Sequence, residues 1–283
     1  MTVAWQELGA LNRPILVVAF EGWFDVAEAA TGALSWLSAR HDGRVVASID
    51  PEPYFDFTAR RPEVRMVEGK RQIFWPANEV TAVVLPDEPH DLLLLAGVEP
   101  HLRWATFSND LVEIVRRSRA EMVITVGALP EAMPHSRPPR VKGSSTTPEL
   151  AARLGLEGPT YQGPTGLVGV LHAALDREQV PVISLRVGVP HYVTTTANPK
   201  AQRALLEHLQ HVTGVETEFA ELNDAVVEWE LQVNQAVQAD PEASAFVARL
   251  EAEVDRQLES NLPSGEDLAK EFEQFLQERR DDE

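Results

Sequence analysis

The chain has 283 residues, of which 44% are hydrophobic, with no cysteine and a formal net charge of −19. This length fits one large domain plus an appendage, at roughly 100 to 200 residues per domain. The absent cysteine excludes disulfides, thiol nucleophiles and thiolate zinc sites, and the negative charge argues against phosphate backbones and anionic membranes as partners.

The amino-terminal MTVAWQELGALNRP has neither the basic start nor the apolar centre of a secretory signal. The longest apolar run, near residues 92–98, falls far short of the roughly 20 residues of a membrane helix. A soluble, cytoplasmic protein is expected. PILVVAF, residues 14–20, is a continuous β-branched run and predicts a buried strand. Small and apolar residues from 25 to 39 then predict a helix lying close on a sheet, with Asp25 at its N-cap position. RVVASID, residues 44–50, predicts a second strand.

Residues 51–80 break the rhythm. YFDF and RQIFW are aromatic and β-prone, which predicts a β-hairpin inserted into the core. Tyr54, Phe55, Phe57, Phe74 and Trp75 are too much apolar surface for a free hairpin in water, so they are candidates for an oligomer interface. Strands are predicted at 82–87, 91–100, 121–129 and 180–190. Helices are predicted at 104–120, 165–179 and 198–214, the last opened by Asn198-Pro199 and closed by Gly214. Residues 128–164 hold seven prolines and predict a long loop region around a short strand (140–144) and a small helix (148–154).

After Gly214 the pattern changes. Leu222, Val226, Trp229, Val233 and Val237 form one helical stripe, Val247, Leu250, Val254 and Leu258 a second, and Leu268, Phe272 and Phe275 a third. From residue 216 onward 20 acids face 5 bases, a net of −15. Such acidic amphipathic helices must bury their stripes on the core, on each other or on another subunit, and they leave room for a basic protein partner. The predicted organisation is an α/β core of residues 1–214 and an acidic helical extension of residues 215–283. The core should be three-layered, a mostly parallel sheet covered by helices on both faces.

In such sheets ligands lie beyond the carboxyl ends of the parallel strands. Reading those ends gives Glu21, Gly22, Trp23 and Asp25 after the first strand, and Glu99, Arg103 and Trp104 after the fourth. Gly127 ends the fifth, Gly163, Thr165 and Gly166 precede the next helix, and His191 and Tyr192 follow the last strand. These thirteen residues are the candidate pocket. Against a ligand role, Asp25 suits a helix cap, and a Trp at an α/β corner is usually core. GPTG lacks the Lys-Ser/Thr of a P-loop, no HExxH occurs, and no GxSxG elbow occurs. No catalytic residue, metal or cofactor is therefore expected.

AFEGWFDVAEAATGAL, DFTARRPEVR, MVITVGALP and GPTGLVGVLHAAL resemble the bacterial and archaeal relatives of the proteasome assembly chaperones, across residues 11–214. The acidic extension resembles the actinobacterial branch. The resemblance implies a phosphorylase- or hydrolase-like core, a hairpin insertion that mediates oligomerisation, often into trimers, and helices lying over a pocket. It also implies a non-enzymatic scaffold, since the eukaryotic relatives hold proteasome α subunits during ring assembly. The alternative expectation is a small-molecule-binding protein or a phosphorylase- or hydrolase-like enzyme, with its pocket at the strand ends under the helical extension.

Overall fold

The computed structural model describes residues 2–261. Four strands form its centre: β2 (Ile15–Glu21), β7 (Leu92–Val98), β8 (Met122–Glu131) and β10 (Val182–Pro190). They run parallel in the order β7-β2-β8-β10, with Val17 paired to both Leu94 and Ile124. Their apolar runs are continuous because both faces are covered. Ile15, Val17 and Ala19 face α1 (Ala29–Arg40) and α5 (Pro199–Thr213). Leu16, Val18 and Phe20 face α2 (Trp104–Ser118) and α4 (Leu167–Arg177). The three-layered α/β architecture thus follows from period-2 alternation between two apolar layers.

The sheet as a whole is mixed, with eight strands. Outside β7 come β6 (Asn78–Val83), β3 (Arg44–Ile49) and β1 (Val3–Trp5), and outside β10 comes β9 (Val141–Ser145), all antiparallel to their neighbours. The parallel arrangement is thus confined to the four central strands. The link from β6 to β7 is too short for a crossover helix, which needs a dozen or more residues, so that pair must run antiparallel. α5 starts as its sequence predicts, with the Asn198 side chain accepting from the Ala201 N–H at 3.0 Å. The small helix α3 spans Pro148–Leu154, as predicted.

The hairpin expectation needs correction in its first half. The observed strands are β4 (Glu63–Val67) and β5 (Lys70–Phe74), joined through Glu68 and Gly69, both with positive φ as a tight hairpin turn requires. YFDF is not one of its strands. Tyr54 and Phe55 are sealed in the core beside α2, where the Tyr54 ring stands edge-on to Phe107 at 5.1 Å and its hydroxyl donates to the buried Asp110. Neither can supply an exposed interface. Phe57 is half-buried against Trp75, and Phe74 and Trp75 remain exposed.

Beyond α5, Val215 and Leu222 are still part of the core cluster. α6 (Asn223–Gln238) buries Trp229 and Val233, and α7 (Pro241–Asn261) buries Val247 while leaving Leu258 exposed. The third predicted stripe, Leu268, Phe272 and Phe275, lies outside the described residues.

Candidate functional site

The strand-end rim divides into two halves of different character. The first half lies at β2 and β7. Glu21, the last residue of β2, makes an ion pair with Arg60 at 2.7 Å. Gly22 follows with φ +140°, a conformation that admits only glycine without strain, and a Cβ there would press on the Glu99 carboxylate at 3.3 Å. Glu99 in turn accepts from the Leu167 N–H at 3.2 Å, so this carboxylate closes the first turn of α4 beside Gly166. Trp23 projects into solvent, 77% exposed. It is neither core nor a stacking wall within this chain.

Asp25 is buried and caps α1 from a distance. A 3₁₀ turn (Val26–Glu28) intervenes, and the carboxylate reaches past it to accept from the N–H groups of Ala30 (2.6 Å) and Thr31 (3.2 Å) and from the Thr31 hydroxyl. Burial pushes its pKa up, while those hydrogen bonds hold it down. The reach is made possible by two consecutive left-handed residues, Ala27 (φ 58°) and Glu28 (φ 52°). Backbone strain of this kind in non-glycine residues costs on the order of 1 kcal/mol or more per residue and collects at functional places.

Glu21, Gly22, Asp25, Ala27, Glu28 and Arg60 line an open cleft of about 360 Å³ together with Thr194, Thr195 and Thr196 from the loop after β10. The structure thus brings together three of the predicted pocket residues and adds Arg60 and three threonines. Arg60 was hidden because the segment reads as hairpin, and the threonines because nothing local ties them to β2.

The other candidates are spent elsewhere. Gly127 makes room for Phe24, whose ring would lie 2.0 Å from a Cβ at that position. Trp104 donates its Nε1–H to the Pro100 carbonyl at 2.6 Å. Arg103 is the left-handed residue preceding α2. Gly163 has φ +155° and lies against the Tyr161 ring, and the Thr165 hydroxyl occupies the space that a Cβ on Gly169 would need. None of these lines the cleft.

The second half of the rim, beyond β8 and β10, is covered. Tyr192 and His191 stand edge-on to Phe246 of α7, at 6.1 and 5.5 Å. The buried His135 meets the Tyr192 hydroxyl at 2.7 Å through Nδ1 and Asn234 Oδ1 at 3.0 Å through Nε2. An acceptor at Nε2 places the imidazole proton there, so Nδ1 receives the tyrosine hydroxyl. Burial raises the pKa of Tyr192 and keeps that hydroxyl protonated. Arg137 grips Asp255 through two hydrogen bonds of 2.8 and 2.7 Å, Ser136 donates to Glu251, and Lys200 pairs with Glu230. α6 and α7 are therefore fastened to the β8 and β10 loops and to the start of α5 by aromatic edges and charge-assisted hydrogen bonds. Among the described residues no group of three or more His, Asp or Glu side chains is placed to hold a metal ion, and no helix is long and apolar enough to cross a membrane.

Residues 19–237 match the sequence profile of the PAC2 family. The chain belongs to the PAC2 family. Among solved structures it is similar to a PAC2 family protein from Streptomyces avermitilis, with 39% identity, a TM-score of 0.77, and coverage of 83% of this chain and 99% of that one. It is also similar to a proteasome-assembly chaperone homologue from Mycobacterium tuberculosis, with 35% identity, a TM-score of 0.75, and coverage of 82% and 99%. An archaeal proteasome activator from Pyrococcus furiosus shares the fold at 17% identity, with a TM-score of 0.67 and coverage of 83% and 98%. A search of curated proteins returned no match. The PAC2 core here is the frame on which the open cleft and the exposed hairpin are mounted.

Proposed function

We propose that this PAC2 chain is a cytoplasmic, homo-oligomeric interaction protein, trimeric by family likeness, that acts without catalysis as an assembly chaperone for proteasome subunits. The observation that carries the interaction role is the hairpin. All ten residues of β4 and β5 are exposed, and they include Val64, Met66, Val67, Ile73 and Phe74. An isolated two-stranded ribbon of this kind is marginal in water and calls for a protein surface to cover it. Phe57, Phe74 and Trp75 extend that surface towards the core. The proteasome as client comes from the relatives: one is a proteasome-assembly chaperone homologue and another a proteasome activator. The test is to mix the purified full-length chain with proteasome α and β subunit precursors and follow assembly by native mass spectrometry. Accelerated half-ring formation or a chaperone–precursor complex is expected. No binding and no change in assembly would remove the proteasome role.

A second reading is favoured by the cleft. Its lining of Glu21, Arg60 and three threonine hydroxyls, beside the strained Ala27–Glu28 backbone, suits a small polar molecule. In this reading residues 215–283 are an extension whose α6 and α7 roof the neighbouring half of the rim. A phosphorylase- or hydrolase-like activity would belong here, although no nucleophile–base pair lines the cleft. Thermal-shift screening of polar metabolites against the wild type and Arg60→Ala separates the two readings: a ligand whose stabilisation vanishes in the variant supports the cleft.

A further inference from the structure

Among the described residues, charge is arranged with opposite signs on two exposed apolar surfaces. Residues 59–72, which carry most of the hairpin, contain five bases and two acids in a chain of net charge −19. Residues 216–248, which carry α6, contain eight acids and no lysine or arginine.

On the hairpin, the register pairs Val64 with Ile73 and Met66 with Arg71, so these four side chains share one face. Met66 is 68% exposed, and Val64 and Ile73 are about half exposed. Arg65 folds over Phe74 on the opposite face and pairs with Glu63. Arg61, Lys70 and Arg71 have no carboxylate partner among the described residues.

On α6, the buried side holds Trp229 and Val233, and the outward side holds Val227 (64% exposed) and Leu231 (57% exposed). These two stand four residues apart, one turn along one face. Asp224 and Glu228, three residues before each, lie beside them and have no cationic partner among the described residues. Three other acids of this region are already paired with bases: Glu218 and Glu221 with Arg40, and Glu230 with Lys200.

The spacings match as well as the signs. Val64 and Met66 are two residues apart on a strand, about 7 Å. Val227 and Leu231 are one helical turn apart, about 6 Å. We propose that the hairpin of one copy seats its Val64–Met66–Ile73 face on the Val227–Leu231 stripe of α6 in the next copy, with Arg71, which shares that face, meeting Asp224 and Glu228. This rests on the homo-oligomer reading and specifies its contact. The two patches are different, so each copy offers one and receives at the other, and repetition closes a ring or a reciprocal pair.

Sedimentation of the full-length chain tests it, with three variants checked for native circular dichroism. These are Arg71→Glu, Asp224→Lys/Glu228→Lys, and all three combined. The wild type is expected to sediment as an oligomer. Each reversal should raise the dissociation constant by about ten-fold or more, because close interfacial charge pairs couple at least that strongly. The combined variant should reassociate. A monomeric wild type would overturn the oligomer reading itself and the seat with it. Dissociation by the hairpin reversal alone, with the α6 reversal silent or the combined variant still dissociated, would overturn the seat and leave the oligomer standing. The cysteine-free sequence permits a second measurement. Mixed Met66→Cys and Leu231→Cys copies should form a disulfide-linked pair between the two variants under oxidation, and the absence of that cross-pair would likewise overturn the seat.

Discussion

Two aromatic, β-prone stretches, YFDF at 54–57 and RQIFW at 71–75, have opposite fates. Tyr54 and Phe55 are core, whereas Ile73, Phe74 and Trp75 are exposed. The difference lies in the partners available. Tyr54 finds the Phe107 ring and the Asp110 carboxylate on α2, which also accepts from Thr2 at 2.7 Å. Among the described residues the two hairpin strands pair with each other alone, and Trp75 meets the half-buried Phe57. Burial here is decided by a long-range neighbour, and hydrophobicity alone says that a neighbour is needed without saying whether it comes from the same chain.

The largest expected effect is on the buried side of this comparison. Tyr54→Ala removes a fully enclosed ring and leaves Asp110 short of a donor in the core. It should destabilise the fold by about 3–5 kcal/mol, measured by urea unfolding. A loss below about 1 kcal/mol would show that YFDF is not the anchor the core packing indicates.

Tyr54→Phe keeps the ring and removes only the hydroxyl, so about 1–3 kcal/mol should be lost at neutral pH. Burial, with a further contribution from the hydrogen bond to Asp110, pushes the Tyr54 pKa up to about 12 from the ordinary 10. The stabilisation due to the neutral phenol is therefore intact below pH 10 and is lost as pH rises towards 12. Phenylalanine has no such titration. The stability gap between wild type and variant should narrow across that window, and a constant gap would mean that the hydroxyl is not enclosed in the core as its packing indicates.

The same contrast shows how much was legible beforehand. Continuous apolar runs located β2, β7, β8 and β10, because a strand buried on both faces has no polar face to alternate with. Local chemistry located α3 and the Asn198 cap of α5. The strand-end rule placed Glu21, Gly22 and Asp25 at one cleft, and Asp25 does cap α1, although from across a 3₁₀ turn that depends on the unusual backbone of Ala27 and Glu28. Arg60 could not be foreseen at that cleft. It meets Glu21 across 39 residues, and no local periodicity encodes such a contact. His135, Ser136 and Arg137 were missed for a related reason: their partners Asn234, Glu251 and Asp255 lie about 100 or more residues away on α6 and α7. The proline-rich loop region marked the place, and the pairing was visible only once the helices were docked.

The smallest effect belongs to the exposed side, and it is the most discriminating. Met66→Ser and Ile73→Ser remove apolar groups that touch little within the chain. Measured at concentrations low enough to keep subunits apart, each should change the unfolding free energy by no more than about 0.5 kcal/mol, the usual range for surface substitutions. At higher concentration the outcome should diverge. If a protein surface covers the hairpin in the assembled state, binding to the folded form stabilises it by mass action, and the wild type should gain thermal stability with concentration while the variants gain less. An equal concentration dependence in all three would place the interface elsewhere. A large loss at low concentration would mean that the hairpin is held by its own chain, as YFDF is, and the contrast between the two stretches would disappear.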